Sequence, residues 1–437
     1  MVVIGCGFAG LAAVRKLSPA PVDITLVDRT NHHLFQPLLY QVATAGLSAP
    51  AVSAPIRHVL RNEMRRGNLT VLRGEVVSID GAARNVVLDD GGNGREVLPY
   101  DQLIVAAGST NSYFGHAGWP AHAPGLKTLA DALALRARII GAFESAERCE
   151  DSRAREAWLT FAIIGGGPTG VEMAGTLTEI AQHTLRGEFR RIDPGSARVV
   201  LLEGSERVLG AFVPEISAMA TRQLHRLRVD VRTGCRVTGI DAEGIDYESG
   251  PRDAAEAHRL AAKTVIWAAG VAGSPLGRAV PAASGVELDR GGRVIVAPDL
   301  SVPGHPELWV AGDLAAAFNT RADGTRTPVP GVAAAAKQMG RAAAANLLRR
   351  LRGEATRPFH YIDYGSLATI GRKAAVVDLP VPKLGSLRFG GFPAWLFWLF
   401  AHVYFLIGFR NRLSVLVDWA WAYFTYERSA RVVAEPD

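Results

Sequence analysis

Two short glycine-rich runs carry the first chemical signal in this 437-residue sequence. One is Gly5-Cys6-Gly7-Phe8-Ala9-Gly10, and the other is Gly165-Gly166-Gly167-Pro168-Thr169-Gly170. In this spacing the first glycine (Gly5, Gly165) permits a tight turn. The second (Gly7, Gly167) lets backbone N–H groups approach a pyrophosphate, and the third (Gly10, Gly170) lets a helix pack closely on a strand. Such a spacing alone is weak evidence; the order of elements around it decides. Residues 1–4 form an apolar run that reads as a buried parallel strand. Leu11, Val14 and Leu17 recur at helical spacing, so residues 11–17 read as a helix. A second strand, Ile24-Thr25-Leu26-Val27, ends at Asp28, eighteen residues after Gly10. A carboxylate at that place bonds a ribose hydroxyl of a bound dinucleotide. Cys6 within the run reads as a tolerated small residue rather than a redox group. The brevity of the first strand points to a few residues upstream.

The second run repeats the order. Phe161-Ala162-Ile163-Ile164 reads as a strand, a helix follows to about Gln182, and residues 199–202 form a strand ending at Glu203. Glu203 lies thirty-three residues after Gly170, and the basic segment 186–198 accounts for the longer crossover. A carboxylate at the strand end suits a free ribose 2′-hydroxyl and repels a 2′-phosphate, which predicts NADH rather than NADPH. Glu172, two residues past the last glycine, has two readings. It is an exposed carboxylate at a helix start, favoured by the dipole, or a carboxylate held near the reacting ring of the dinucleotide.

The elements that must position these turns are those of an α/β protein with two dinucleotide-binding folds, the second inserted in the first. A third glycine punctuation, Ala311-Gly312-Asp313, closes the apolar run Leu308-Trp309-Val310 and belongs with the first fold. The polar, Ala-rich stretch 252–259 reads as a surface loop between strands. The 48 basic and 42 acidic residues leave a formal charge of +6, suited to an anionic cofactor or membrane surface. That charge, with no nucleic-acid motif, argues against nucleic acid as a partner. The three cysteines, Cys6, Cys149 and Cys235, show neither a CxxC nor metal-ligand spacing, so no metal is expected. His32 and His33 lack a third ligand nearby and read as a loop packed against a cofactor. The N-terminus lacks the basic region of a secretory signal.

The tail differs in composition. Twenty-one positions between Arg388 and Arg410 are uncharged, and residues 395–409 are dense in aromatics. Gly390, Gly391 and Pro393 make a poor helix start, leaving about 15 residues, short of the roughly 20 needed for a span. Leu413, Leu416, Val417, Ala420 and Phe424 then recur at helical spacing, flanked by Arg410, Arg412, Arg428 and Arg431. This reads as an amphipathic segment lying on an anionic leaflet. A dimer interface is the competing use of the same segment.

With both turns in place, the chain resembles the type II NADH dehydrogenases, single-subunit NADH:quinone oxidoreductases of respiratory membranes. The most specific stretch is Asp28-Arg29-Thr30-Asn31-His32-His33-Leu34-Phe35-Gln36-Pro37-Leu38-Leu39-Tyr40-Gln41-Val42-Ala43. GGGPTGVEMAG, TVIWAAG (264–270), LWVAGD (308–313) and AAAAKQMGR (333–341) follow in family order. The resemblance implies FAD as cofactor, NADH as electron donor and a membrane quinone as acceptor, without ion pumping. It implies an FAD domain over 1–114 and 296–385, an NADH domain over 115–295, and C-terminal membrane-attachment helices over 386–437. Cofactor contacts would come from Gly5, Gly7, Gly10, Asp28, Ala107, Gly108, Asp313, Val332 and Ala333 on the FAD side. Gly165, Gly167, Gly170, Glu203 and Gly270 would serve the NADH side. Glu172 matches a proton-relay glutamate, and Lys373 a basic position near the quinone pocket. Gln338 matches the second glutamine of the family's AQxAxQ pattern, whose first glutamine is replaced by Ala334. The family works peripherally on the cytoplasmic face of the inner membrane. A sulfide:quinone oxidoreductase shares the fold but needs a cysteine pair near the flavin, which these three cysteines do not supply.

Overall fold

The computed structural model describes every residue except 90, 91, 93, 321–323, 382–384, 429 and 434–437. The chain divides into two compact units. The first comprises residues 1–34, 53–110 and 271–364; the second comprises 35–52, 111–270 and 365–437. Relative to the expected divisions, residues 271–295 pack with the first unit, while 35–52, 111–114 and 365–385 pack with the second.

The first unit is built on a six-stranded sheet. Its order is Ser301–Val302, His305–Val310, Leu103–Val105, Val2–Ile4, Ile24–Asp28 and Leu69–Arg73. Pairing is parallel throughout except at the Ser301–Val302 edge. Numbered in chain order and read from Leu69–Arg73, the five parallel strands run 3-2-1-4-5, the doubly wound arrangement that leaves a ligand crevice at the carboxyl ends of the central strands. Val2, Val3 and Ile4 are all buried, as a central parallel strand requires. The helix Phe8–Leu17 starts three residues earlier than the apolar spacing marks and buries Leu11, Val14 and Leu17. A three-stranded antiparallel sheet, Glu75–Asp80, Asn85–Asp89 and Arg95–Pro99, precedes the fourth strand.

The second unit repeats this plan. Its parallel sheet has the order Asp230–Arg232, Arg198–Leu202, Thr160–Ile164 and Thr264–Trp267, again 3-2-1-4. An antiparallel sheet of Cys235–Asp241, Gly244–Ser249 and Glu256–Ala261 again precedes the fourth strand. The expected loop over 252–259 is therefore corrected. Only Arg252–Ala254 is a turn of helix, and the stretch after it pairs residue for residue with Gly244–Ser249. Backbone pairing there outweighs the weak strand propensity of Glu and Ala.

The helix Pro168–Glu179 passes directly into a π-helical turn, Ile180–Thr184. It packs against a third antiparallel sheet, Ser366–Gly371, Ala374–Val381 and Gly385–Gly391. A Cβ at Gly175 would sit 1.5 Å from the Ile370 carbonyl oxygen, so this glycine sets how closely helix and strand approach. The tail forms two helices, Phe392–Phe405 and Phe409–Thr425. Pro393 falls in the first helical turn, where its missing N–H costs nothing, so the helix begins earlier than expected. Among the described residues, no helix is long and apolar enough to cross a membrane.

Candidate active site

The two glycine turns have the same construction. Gly5 and Gly165 take φ of +91° and +107°. A Cβ at Gly5 would lie 2.4 Å from the Ala106 carbonyl oxygen, and one at Gly165 2.6 Å from the Ala269 nitrogen. Cβ atoms at Gly10 and Gly170 would lie 1.7 and 1.8 Å from the carbonyl oxygens of Gly5 and Gly165. Gly7 and Gly167 face open space, with nothing within 4 Å. Each is also the N-cap of the following helix and supplies no side-chain cap, so the first-turn N–H groups are left for a ligand. Open space, uncapped donors and a helix N-terminus make a cradle for a diphosphate.

Each turn is tied to its strand-end acid. Asp28 Oδ2 accepts from the Cys6 N–H at 2.6 Å, and Oδ1 accepts from the Thr30 N–H at 2.7 Å. Glu203 Oε2 accepts from the Gly166 N–H at 2.5 Å, and Oε1 from the Ser205 N–H at 2.7 Å and its hydroxyl. Both carboxylates therefore brace their own loop from the end of the second strand of the sheet. In the first unit, His33 Nδ1 donates to the Cys6 carbonyl oxygen at 2.8 Å, and Phe8 meets the His33 ring edge-on at 5.2 Å. His33 is thus a brace of the turn. Burial pushes its pKa down, which keeps it neutral. Burial and the Asp28 carboxylate push the Cys6 thiol up, so it is inert.

The remaining first-unit candidates cluster around Asp313, whose Oδ2 accepts from the Ser109 hydroxyl at 2.9 Å. Asp313 lies just after Gly312, which has φ +81°, and a Cβ at Gly331 would come within 3.7 Å of its carboxyl carbon. Val332 caps the helix Ala333–Leu351 without a side-chain bond, leaving the start of this long helix uncapped as well. Ala107 adjoins Gly108, which takes φ +68° with open space where a Cβ would be. Together these residues fit a dinucleotide with one diphosphate at the Gly7–Phe8 turn. Gln338 is occupied: its Nε2 donates to the Ile362 carbonyl at 2.9 Å, and its Oε1 accepts from the Ile362 N–H at 3.0 Å.

In the second unit Glu172 is only 8% exposed, which removes the reading as an exposed helix-start carboxylate. Burial raises its pKa well above the ordinary glutamate range, against the opposing bond from the Thr369 N–H. Tyr40 is also buried; the loss of water and the Glu172 carboxylate hold its hydroxyl protonated. Its oxygen accepts from Gln41 Nε2 at 2.9 Å, and Gln41 Oε1 accepts from the Trp419 indole at 2.7 Å. Tyr40 lies inside the family-like segment, but its burial beside Glu172 depends on residues far apart in sequence. Gly270 has φ +71°, and a Cβ there would strike the Phe114 ring. Lys373 is exposed at a hairpin tip, with φ +62° and its Nζ 5.0 Å from the centre of the Tyr423 ring.

The arginines expected to face a leaflet mostly do other work. Arg428 is largely shielded, its side chain 11% exposed, donating to the Thr44 carbonyl at 2.9 Å and pairing with Glu179 at 3.3 Å. Arg431 pairs with Glu188 at 2.6 Å, and Arg412 donates to the carbonyls of Leu406 and Tyr404. Of the four, Arg410 stays exposed. The correction has one cause: backbone and carboxylate acceptors lie within reach of the other three.

Comparison with known proteins places this geometry. Residues 1–340 match the pyridine nucleotide-disulphide oxidoreductase family, and residues 364–426 match the NDH2 C-terminal domain. A type II NADH:quinone oxidoreductase of Mycobacterium tuberculosis is 43% identical over 438 residues, covering 100% of this chain and 90% of the relative. Another from Staphylococcus aureus is 28% identical, covering 87% of this chain and 90% of its own length. The chain belongs to the type II NADH:quinone oxidoreductase family. The fold matches NDH2 of Plasmodium falciparum, solved in complex with NADH, with a TM-score of 0.87 at 20% identity and 99% coverage of both chains. The sulfide:quinone oxidoreductase of Aquifex aeolicus matches with a TM-score of 0.72 at 18% identity, covering 97% of this chain and 94% of that one.

Proposed function

We propose that this chain is an enzyme that oxidises NADH and reduces a membrane quinone, with FAD held by the first unit and NADH received by the second. The observation that carries the reading is the doubled dinucleotide turn in a chain whose described cysteines are all free thiols. Two dinucleotide sites without a disulfide suit electron flow from a nicotinamide, through a second dinucleotide, to an acceptor other than a thiol. Family membership at 43% identity supports the same donor and acceptor. FAD, when bound, supplies hydride acceptance from NADH and two-electron delivery to the quinone.

The protein's part is to bind, orient and hold protons. The uncapped turn at Gly7 and Phe8 holds the FAD diphosphate, with Asp28 at its ribose and Asp313 at its polyol chain. Ala107, Gly108, Val332 and Ala333 offer backbone to the same group. The turn at Gly167 and Pro168 holds the NADH diphosphate. Glu203 accepts from a free 2′-hydroxyl and repels a 2′-phosphate. Gly270 leaves room beside the nicotinamide half. Glu172, buried and proton-retaining, serves as the local proton reservoir, with the Tyr40 hydroxyl beside it. Gln338 acts by bracing residue 362, and Lys373 contributes positive charge at the acceptor end.

The two tail helices expose Phe400, Phe409, Val417 and Phe424, at 67, 81, 59 and 80%. Such exposed apolar side chains support attachment to one leaflet without crossing it, and the family likeness points to the cytoplasmic face of the membrane. Its competing use is a homodimer interface. The test is steady-state turnover with a short-chain quinone. NADH-dependent quinone reduction, with NADPH at least about tenfold poorer in kcat/KM, is expected from one charged contact at the ribose. Reduction driven by sulfide, with NADH inactive, would instead favour the sulfide:quinone reading.

A further inference from the structure

Within the second unit, a cavity of about 110 Å³ lies among the helix Pro168–Glu179, the Gly371–Arg372 turn and the two C-terminal helices. A single water needs roughly 10–15 Å³ of such space, so this cavity admits a larger group. Trp395, Trp398, Trp419 and Tyr423 form aromatic walls. Two lining groups have unused hydrogen-bonding capacity. Trp398 is 2% exposed, and its buried indole N–H has no acceptor. A buried donor left unpaired is costly, so an acceptor in the cavity is expected. The Arg372 guanidinium is stacked between Tyr426, at 3.8 Å, and Tyr423, at 4.7 Å. Among the described residues it makes no ion pair; only its backbone N–H bonds Glu179. Of the charged walls, Arg428 and Glu179 pair with each other, and Arg372 leaves one positive charge uncompensated.

We propose that this cavity binds the phosphodiester headgroup of an anionic membrane lipid, its oxygens accepting from the Arg372 guanidinium and the Trp398 indole. A guanidinium with two free edges matches a phosphate, and the residual positive charge favours an anion over a neutral carbonyl ring. The acyl chains leave over the exposed face formed by Leu396, Phe400, Val417 and Phe424. The proposal rests on the attachment reading above and adds a specific headgroup site to it.

The experiment is calorimetric titration of the full-length holoenzyme with dihexanoyl phosphatidylglycerol, kept below its micelle concentration. Dihexanoyl phosphatidylcholine and inorganic phosphate are titrated in parallel. Saturable one-to-one binding of phosphatidylglycerol, about tenfold or more tighter than the other two, is expected: phosphatidylcholine brings a quaternary ammonium that the uncompensated Arg372 charge repels, and inorganic phosphate lacks the acyl chains. Arg372→Gln weakens it by about ten- to a hundredfold, and Trp398→Phe, which keeps the aromatic wall, by about three- to tenfold. Unchanged binding in both variants overturns the site. So does phosphatidylcholine binding as tightly as phosphatidylglycerol. Inorganic phosphate binding as tightly as the lipid reduces it to an anion site and overturns the lipid assignment. Competitive displacement of phosphatidylglycerol by a short-chain quinone overturns it in favour of the electron acceptor. The soluble lipid requires no membrane, so these outcomes are separate from vesicle flotation. Failure to float with any vesicle removes the attachment reading instead.

Discussion

The two glycine turns differ less in their backbone than in the helices that follow them. Both turns close on a carbonyl less than 2 Å from the would-be Cβ of the third glycine, and both are braced by a strand-end carboxylate. Two residues past that glycine, however, the first turn has Ala12 and the second has the buried Glu172. The first helix ends among Arg15 and Lys16, with Arg15 45% exposed in a 3.6 Å pair with Glu63. The second ends on Glu179, which is 15% exposed and is held by Arg428 and the Arg372 N–H. One turn is thus a cradle of backbone donors and nothing more. The other adds a buried carboxyl near one end of its helix and a largely shielded ionic anchor at the other. A resident cofactor needs only the first arrangement, whereas a site where NADH arrives and leaves benefits from both additions.

The largest expected effect comes from the shared part. Gly10→Ala and Gly170→Ala each drive a Cβ into the main chain, and each is expected to cost more than about 4 kcal/mol or prevent folding of its turn. Gly10→Ala should lose flavin absorbance per mole of protein. Gly170→Ala should retain flavin and lose NADH oxidation. The same loss in both variants would break the assignment of one dinucleotide to each turn.

The anchors separate the turns next. Arg428→Met leaves Glu179 unpaired where water is scarce and should cost about 3–5 kcal/mol in urea unfolding. Arg15→Met, at a surface pair, should cost under about 1 kcal/mol. Equal costs would remove the distinction between an anchored and a free helix end.

A smaller effect falls on the braces. Glu203→Ala frees the Gly166 N–H and the ribose site. It should raise the KM for NADH by about five- to fiftyfold and narrow the preference over NADPH, as the loss of a charge-assisted bond implies. Asp28→Ala should leave that KM unchanged and weaken flavin retention, measured by dialysis.

The most specific effect concerns Glu172 and is read from a slope with pH rather than from a loss of activity. Its folded pKa is raised, so its contribution to stability is fully present below the unfolded glutamate value. That contribution is lost as pH rises from there through the folded value. Glu172→Gln should therefore be less sensitive to rising pH than the wild type in unfolding measurements. Parallel pH curves would contradict a buried, proton-retaining carboxylate.

Much of this comparison was legible in the sequence, because glycine spacing, short apolar strands and terminal acids are local signals. Gly5, Gly10, Gly165 and Gly170 need no partner beyond their own turn and the adjacent strand to show their role. The environment of Glu172 was not legible, since its burial depends on Thr369, almost two hundred residues later, and on Tyr40. For the same reason Arg428 read as a leaflet-facing cation: nothing local reveals that Glu179 waits for it. The strand Glu256–Ala261 read as a loop because Glu, Ala and Arg carry little strand propensity, while its pairing with Gly244–Ser249 is a tertiary fact. Gln338 is the subtler case. Its position matched a family pattern, yet both ends of its amide serve the backbone of residue 362.

The most direct test of the central claim, one dinucleotide resident and one arriving, is anaerobic stopped-flow absorbance on the purified protein containing FAD. Bleaching of the flavin band within the turnover time after mixing with NADH, and its return on mixing with a short-chain quinone, is the predicted result. A band that NADH leaves unchanged, or that a quinone fails to restore, would contradict it.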